Sequence, residues 1–67
     1  MWTVYDHPVD HPEHFVVRRF VVTPDGALPA ESVLADTIEQ ARGSLPPGLY
    51  RLPRQGDDHP SVVETWV

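Results

Sequence analysis

The stretch from Ala30 to Leu45 carries the clearest periodic signal in this chain. Small and apolar residues recur in it at the spacing of one helical face, so the pattern predicts an amphipathic helix. Such a helix needs an apolar surface, and the flanking runs of β-branched and aromatic residues can form a sheet that supplies one. These runs are Trp2–Tyr5, Phe15–Val22, Leu49–Leu52 and Val62–Val67. We therefore expect an α+β fold: a small antiparallel sheet of three to five strands with one helix packed on one face.

Two interpretations compete for residues 30–36. Helical periodicity favours a helix from Pro29 onward, because the N–H that proline lacks would be unpaired in the first helical turn anyway. Alternatively, Ser32–Ala35 form a short strand and Asp36 caps a shorter helix, with a glutamate three residues further on. Both interpretations predict helix over residues 37–44, and a Pro-Pro-Gly run beyond them forbids its continuation.

Prolines and glycines divide the rest of the chain into strands and loops. Thr23-Pro24-Asp25-Gly26 has proline and glycine at the positions that a type I turn prefers. Two prolines within residues 6–13 remove backbone donors, so this segment is predicted to be a loop, and residues 54–60 form a second, polar loop. Tryptophans near the two chain ends, Trp2 and Trp66, indicate that the terminal strands pair or lie side by side.

The run Phe15–Val22 is apolar on both faces and carries one arginine on each. A strand of this kind is expected in the interior of a sheet. Its arginines, Arg18 and Arg19, either reach the sheet margin or pair with acids on neighbouring strands. Alternation in the last strand places three residues on one face: Val62, Glu64 and Trp66.

A chain of 67 residues is long enough for one domain with a thin core, so residues 1–67 are expected to form a single small domain. It contains no cysteine, which excludes disulfides and fits a reducing cytosol. No apolar run approaches the ~20 residues of a membrane span. The lack of lysine and asparagine is typical of a GC-rich bacterial or phage genome, and we expect a cytoplasmic location in a bacterial host cell.

Ten Asp and Glu residues stand against five arginines, which gives a net charge of −5. This balance argues against nucleic acid as a direct ligand, since binding to phosphates depends on basic side chains. It is compatible with a basic protein as partner. The alternative is that the acidity only maintains solubility.

The tripeptide Asp-His-Pro occurs three times, at residues 6–8, 10–12 and 58–60. Imidazole and carboxylate groups are suitable ligands for a divalent metal. The same residues are also typical of turns, where Asp accepts backbone hydrogen bonds and proline restricts φ. We predict turn formation without a metal or other cofactor. A small metal-binding accessory protein is the alternative function, with four candidate ligands: His7, His11, His14 and His59.

Catalytic motifs are not found in the sequence. The serines Ser32, Ser44 and Ser61 do not lie in a Gly-x-Ser-x-Gly turn, and a thiol nucleophile is excluded by the lack of cysteine. The glycines are isolated and form no phosphate-binding loop. We therefore expect a protein that is not an enzyme.

The acidic residues are the most promising binding feature of the sequence. Arrayed on one side, their carboxylates could imitate a phosphate track and occupy the basic channel of a nucleic-acid-binding protein. The candidate partner-binding residues are Asp25, Glu31, Asp36, Glu39, Asp57, Asp58 and Glu64. The alternatives are an ordinary solvated surface, or internal pairing of these acids with the arginines at 18, 19, 51 and 54.

Four segments spread over most of the chain resemble a group of small uncharacterised bacterial and phage proteins. They are Met1–Pro8, Phe15–Arg19, Pro46–Arg54 and Val63–Val67. This resemblance implies no activity. In size and acidity the chain is also similar to phage anti-CRISPR proteins, a likeness of class features without a shared motif. It implies an inhibitor that binds a CRISPR effector (Cas) subunit and blocks its DNA channel.

The oligomeric state is open at this level. A sheet covered by one helix leaves its second face free, and apolar residues on both faces of two strands favour contact with a second subunit or a target. We expect a monomer or a weak homodimer. A self-associating housekeeping module is the remaining alternative function.

Overall fold

The computed structural model describes residues 1–56 and 58–67. Within these residues the chain forms five strands and one short helix. In chain order they are β1 (Trp2–Asp6), β2 (Phe15–Thr23), β3 (Gly26–Ala35), α1 (Ile38–Gly43), β4 (Arg51–Pro53) and β5 (Val62–Trp66). Neighbouring strands are antiparallel, in the order β3-β2-β1-β5-β4. The predicted α+β fold, with one helix packed against an antiparallel sheet, is confirmed.

β2 and β3 form a long hairpin around the predicted turn at Pro24 and Asp25. Thr23 lies opposite Gly26, and its hydroxyl donates a hydrogen bond to the carbonyl oxygen of Gly26 at 2.8 Å. Gly26 has a φ of 127°, a backbone conformation that side chains disfavour. Because β1 pairs with the other side of β2, the predicted interior position of β2 is also confirmed.

The periodic stretch is divided between a strand and a helix. Residues 30–35 belong to β3, so the helix expected from Pro29 onward is wrong and the strand alternative is confirmed. Residues Ser32–Ala35 pair with Phe15–Arg18. β3 thereby satisfies the backbone groups on the second side of an interior strand, a requirement that outweighs helical periodicity.

The helix begins at Ile38, with Thr37 as its N-cap. The hydroxyl of Thr37 accepts a hydrogen bond from the backbone N–H of Gln40 at 3.1 Å, and the Gln40 side chain accepts from the N–H of Asp36 at 3.0 Å. The cap predicted at Asp36 is therefore wrong by one residue. A six-residue helix is not stable alone and depends on its packing against the sheet. No helix in residues 1–56 or 58–67 has the length and apolarity needed to cross a membrane.

The core lies between α1 and one face of the sheet, which we call the covered face. Its buried centre consists of Val4, Val17, Ala35 and Ala41. The partly buried residues around this centre are Trp2, Phe15, Ile38, Leu45, Val63 and Trp66. Trp2 lies opposite Trp66 where β1 pairs with β5, which confirms that the terminal strands are neighbours.

A register shift in β5 changes the predicted alternation. Val4 lies opposite Glu64, but Tyr5 lies opposite Val62, so Val63 is an extra residue between the two pairs. Cross-strand partners share a face, so Val62 lies on the side of Tyr5 and not beside Glu64 as predicted. Val63 packs against the core in its place.

The fourth strand is shifted relative to the prediction. It spans Arg51–Pro53 instead of Leu49–Leu52. Tyr50 nevertheless exchanges two backbone hydrogen bonds with Val67, at 2.7 and 3.0 Å. Pro53 is tolerated because β4 is an edge strand with one unpaired side.

Three connections meet at one end of the sheet, which we call the loop end. They are residues 7–14 between β1 and β2, residues 36–37 between β3 and α1, and residues 54–56 and 58–61 between β4 and β5. Asp6 lies opposite Phe15, which in turn lies opposite Ala35. The N–H of Asp6 also donates to the carbonyl oxygen of Ser61 at 2.7 Å. These pairings bring the three connections side by side.

Candidate functional site

The loop end gathers carboxylates from all three of its connections and from the end of β1. Four of them are exposed and one, Asp58, is partly exposed. The described carboxylates at this end are Asp6, Asp10, Glu13, Asp36 and Asp58. Like charges brought together in this way produce a negative potential that extends beyond the surface.

The first of these connections, residues 7–14, is held by its own backbone hydrogen bonds. The N–H of His7 donates to the carbonyl oxygen of His14 at 3.1 Å, and the N–H of His11 donates to that of Pro8 at 2.9 Å. Pro8 is buried, and His7 adopts a left-handed φ of 47°. These consecutive turns agree with the turn chemistry predicted for the Asp-His-Pro repeats.

All four histidines lie at the loop end, but each contacts a different local partner. The Nδ1 atom of His7 contacts Oδ1 of Asp6, and His14 Nε2 lies 3.9 Å from an oxygen of Asp36. His59 Nδ1 accepts a hydrogen bond from the N–H of Ser61 at 3.1 Å. Within residues 1–56 and 58–67, no three His, Asp or Glu side chains converge in the manner of a metal site.

Arg18 joins the first connection to the sheet. Its Nη2 atom donates to Oδ2 of Asp10 at 2.9 Å, its Nε atom donates to Oγ of Ser32 at 3.3 Å, and its guanidinium lies 5.3 Å from the ring centre of Tyr5. The hydrogen bond from Arg18 lowers the pKa of Asp10. Burial raises the pKa of Tyr5, and the charges of Asp10 and Asp58 add to that increase.

Glu64 lies on the covered face and is 0% exposed. Arg42 donates to both of its oxygens, at 2.8 and 3.1 Å, and Arg51 donates at 3.0 Å. The indole N–H of Trp66 also donates a hydrogen bond to Glu64, at 2.6 Å. These donors, Arg42 first, lower the pKa of Glu64 to about 2 in spite of burial, and the bond to Glu64 raises the pKa of Arg42. Glu64 is therefore a buried structural carboxylate, and its predicted place on an exposed acidic surface is wrong.

Most of the arginines are paired within the molecule. Arg19 donates to Glu31 on β3 at 3.3 Å, which confirms the predicted pairing of a β2 arginine with a neighbouring strand. With the pairs at Asp10 and Glu64, four of the five arginines take part in ion pairs. Arg54 donates to the backbone carbonyl oxygen of Asp58.

The predicted acidic residues do not form one track. Asp36 and Asp58 lie at the loop end, and Glu39 is exposed on α1. Asp25 occupies the β2–β3 turn, ten residues before Ala35 along β3, which corresponds to about 30 Å at ~3.3 Å per residue. Glu31 is paired on the edge strand, Glu64 is buried, and Asp57 lies outside the described residues.

Three of the loop-end carboxylates do not belong to the binding surface that the sequence predicts. They are Asp6, Asp10 and Glu13. The signal that could have found them is the Asp-His-Pro repeat, which marks the turns on which two of them stand. Their proximity to Asp36 requires the pairing of β1, β2 and β3.

Comparison with protein-family models, with curated proteins and with solved structures found no match to this chain. The resemblances noted from the sequence therefore stay predictions.

Proposed function

We propose that this protein is a non-enzymatic inhibitor whose loop end binds the basic surface of a nucleic-acid-binding protein. One observation carries the proposal: the end of β1 and three separate connections bring five described carboxylates to one end of the sheet, while three of the five arginines form ion pairs elsewhere in the molecule. Such a surface offers a basic partner many charges in a small area. It also repels the phosphates of nucleic acid itself.

Carboxylates grouped in this way can take the place of backbone phosphates in a basic channel. Charge complementarity accelerates encounter with an oppositely charged partner and favours one orientation of docking. Within the described chain, Asp6, Glu13 and Asp36 make no ion pair with an arginine. Their charges are therefore available to a partner. The likeness in class to anti-CRISPR proteins makes a Cas effector subunit one candidate partner.

The test is capture of partners from a bacterial lysate by the tagged protein at low and at high salt, followed by affinity measurements with the captured protein. The loop-end variant Glu13→Gln/Asp36→Asn should weaken binding about fivefold, since each exposed charge pair contributes a fraction of a kcal/mol. The same variant should reduce the salt dependence of binding. Duplex DNA should compete for the captured partner.

The matched control is Asp25→Asn/Glu31→Gln, which removes two charges away from the loop end. It should leave affinity and salt dependence nearly unchanged. Equal losses in both variants would mean that only net charge matters and would contradict docking through the loop end. Recovery of the protein alone, without a partner, would count against the inhibitor.

A second candidate function, self-association, is favoured by the part of the β2–β3 hairpin that lies near its turn. β1 reaches only to Arg19 and Phe20, so beyond them two strands extend without a third. Val21 and its cross-strand partner Leu28 share a face and are 41% and 58% exposed there. Two-stranded ribbons are marginally stable in water, and a second copy would cover these side chains.

The free edge of this hairpin limits how two copies can meet. The N–H of Phe20 points to Met1, so the nitrogen of its cross-strand partner Pro29 faces the open edge. Proline has no N–H to donate, so it hinders a continued sheet and leaves side-chain packing as the mode of contact. Sedimentation velocity should show concentration-dependent association that Val21→Thr/Leu28→Thr abolishes. A strict monomer at high concentration would contradict this candidate.

A further inference from the structure

A surface pocket of about 450 Å³ lies at the loop end, on the sheet face opposite α1. Its walls are formed by Tyr5, Pro8, Val9, Asp10, Arg18 and His59. Val4 and Val17 pack in the core, so the residues that follow them, Tyr5 and Arg18, project from the other face. The first connection folds over them and forms the remaining walls. The pocket is thus part of the proposed binding surface but faces away from the core.

The walls of the pocket combine apolar surface with charge. Among its lining residues Pro8 is buried, Tyr5 is half-buried and Val9 is 88% exposed. An exposed valine beside a carboxylate is suited to a side chain with a long methylene stem and a charged head. Lysine and arginine are the two side chains of this kind.

The charges around the pocket favour one additional cation. Of the charged side chains that line the pocket, Asp10 and Arg18 form an ion pair at 2.9 Å. Arg54 contacts the backbone of Asp58 and does not line the pocket. The described residues of the loop end that contains the pocket nevertheless carry five carboxylates against two arginines, Arg18 and Arg54, and this excess of negative charge attracts a cation.

Asp10 has the geometry to accept a second guanidinium. Within the described chain, Arg18 and His11 both approach its Oδ2 atom, at 2.9 and 4.0 Å, and no side chain of another residue donates to Oδ1. The molecule already contains such an arrangement at Glu64, where one carboxylate binds both Arg42 and Arg51. A carboxylate between two guanidiniums is therefore compatible with this fold.

We propose that this pocket receives one arginine side chain of the basic partner, with its methylene stem against Pro8 and Val9 and its guanidinium on Asp10. The proposal rests on the proposed function, since it specifies how the loop end recognises a basic protein. Arginine fits better than lysine because its planar head binds carboxylates in a defined geometry, stacks on other planar groups and is less strongly hydrated. The pocket thereby adds specificity for one side chain to the electrostatic attraction between the loop end and a basic protein.

The probe for this proposal is N-acetyl-arginine amide, titrated into the ¹⁵N-labelled full chain and followed by NMR. The largest shifts should fall on Tyr5, Val9, Asp10 and Arg18. N-acetyl-citrulline amide, which has the same shape without the charge, should cause no comparable shifts. N-acetyl-lysine amide should bind several-fold more weakly than the arginine probe.

Two variants test the two halves of the pocket. Val9→Ser leaves the charge unchanged and alters an exposed side chain, so the fold should persist while arginine affinity falls about fourfold, as for one lost methylene contact. Asp10→Asn should lower arginine affinity about tenfold, the usual effect of losing one charge-assisted hydrogen bond.

The outcomes separate this proposal from the proposed function. Shifts spread evenly over Glu13 and Asp36, or an unchanged affinity in Val9→Ser, would overturn the pocket while leaving charge-driven binding of a partner intact. Arginine binding at the pocket without salt-dependent capture of a basic protein would support the pocket and overturn the inhibitor. Equal shifts by citrulline would show that charge is not recognised and would also overturn the pocket.

Discussion

Glu64 on the covered face and Asp10 at the loop end are both carboxylates bound by arginine, yet their surroundings are opposite. Glu64 is 0% exposed and accepts four hydrogen bonds, from Arg42, Arg51 and Trp66. The side chain of Asp10 is 55% exposed and receives one side-chain hydrogen bond, from Arg18. The carboxylate of Glu64 forms its hydrogen bonds entirely within the molecule, whereas that of Asp10 can still accept a hydrogen bond from a partner.

Burial accounts for this difference. A charge removed from water is tolerated only when it is paired and fully hydrogen-bonded, so Glu64 depends on its donors and they stabilise the fold together. The carboxylate of Asp10 stays hydrated, so the protein loses little stability if Arg18 moves away. Glu64 therefore serves stability, whereas Asp10 is available for recognition.

Glu64→Gln should have the largest effect on stability. The variant replaces a charged acceptor of four hydrogen bonds by a neutral amide whose N–H₂ group meets donors. Breaking a buried ion pair costs about 3–5 kcal/mol, and we expect about 2–3 here because Arg42 and Arg51 are half-exposed and can turn to water. Chemical denaturation measures the free energy of unfolding. A loss of unfolding free energy no larger than that of Asp10→Asn would contradict the difference between the structural role of Glu64 and the exposed position of Asp10.

Acid should destabilise the protein through the same residue. The folded-state pKa of Glu64, about 2, is below its ordinary 4.5, so the charged form is favoured by folding. The stability it contributes is complete above pH 4.5 and is lost as the pH falls from about 4.5 towards 2, by on the order of 2–3 kcal/mol. Unfolding curves across this range would show the loss. In Glu64→Gln the slope should be markedly shallower, and an equally steep decline there would assign acid sensitivity to other carboxylates.

Thr37→Ala tests how far the covered face depends on its short helix. Loss of the cap leaves the N–H of Gln40 without its acceptor and should cost about 1 kcal/mol. Because α1 carries Arg42, a loosened helix should also weaken the hydrogen bonds from Arg42 to Glu64. The fluorescence of the neighbouring Trp66 should change as a result. Thr37→Ser keeps the hydroxyl and should behave like the original protein. Unchanged stability in Thr37→Ala would show that packing alone positions the helix.

Asp10→Asn should have the smallest effect on stability. The carboxylate is exposed and water can replace its bond to Arg18, so the melting temperature should stay within about 3 °C of that of the original protein. Its affinity for the arginine probe should nevertheless fall about tenfold, because a charge-assisted hydrogen bond is lost. A melting temperature lowered as far as in Glu64→Gln would mean that Asp10 is also part of the stabilising framework.

Sequence reasoning succeeded where the signal is local. The turn at Pro24 and Asp25 follows from residue types that restrict the backbone on their own, and the interior position of β2 follows from a run that is apolar on both faces. It failed where two local preferences compete, as in residues 30–35, whose small and apolar residues suit a helix face and a strand equally well. The outcome there depends on the pairing needs of β2, which a local window does not contain.

The candidate site shows the same limit. Composition established an acidic chain, and the Asp-His-Pro repeats indicated turns, but neither tells which acids are exposed. Glu64 and Asp36 look alike in the sequence, and one is buried among arginines while the other is solvated.

The sequence by itself determined the α+β class, the ends of the elements that prolines and glycines terminate, and an excess of negative charge. These three properties follow from residue type and spacing. Only the tertiary structure decided that β3 continues to Ala35, that Glu64 is buried and that Tyr5, Asp10 and Arg18 form one pocket. The physical reason is that burial and cross-strand contact join residues far apart in the chain.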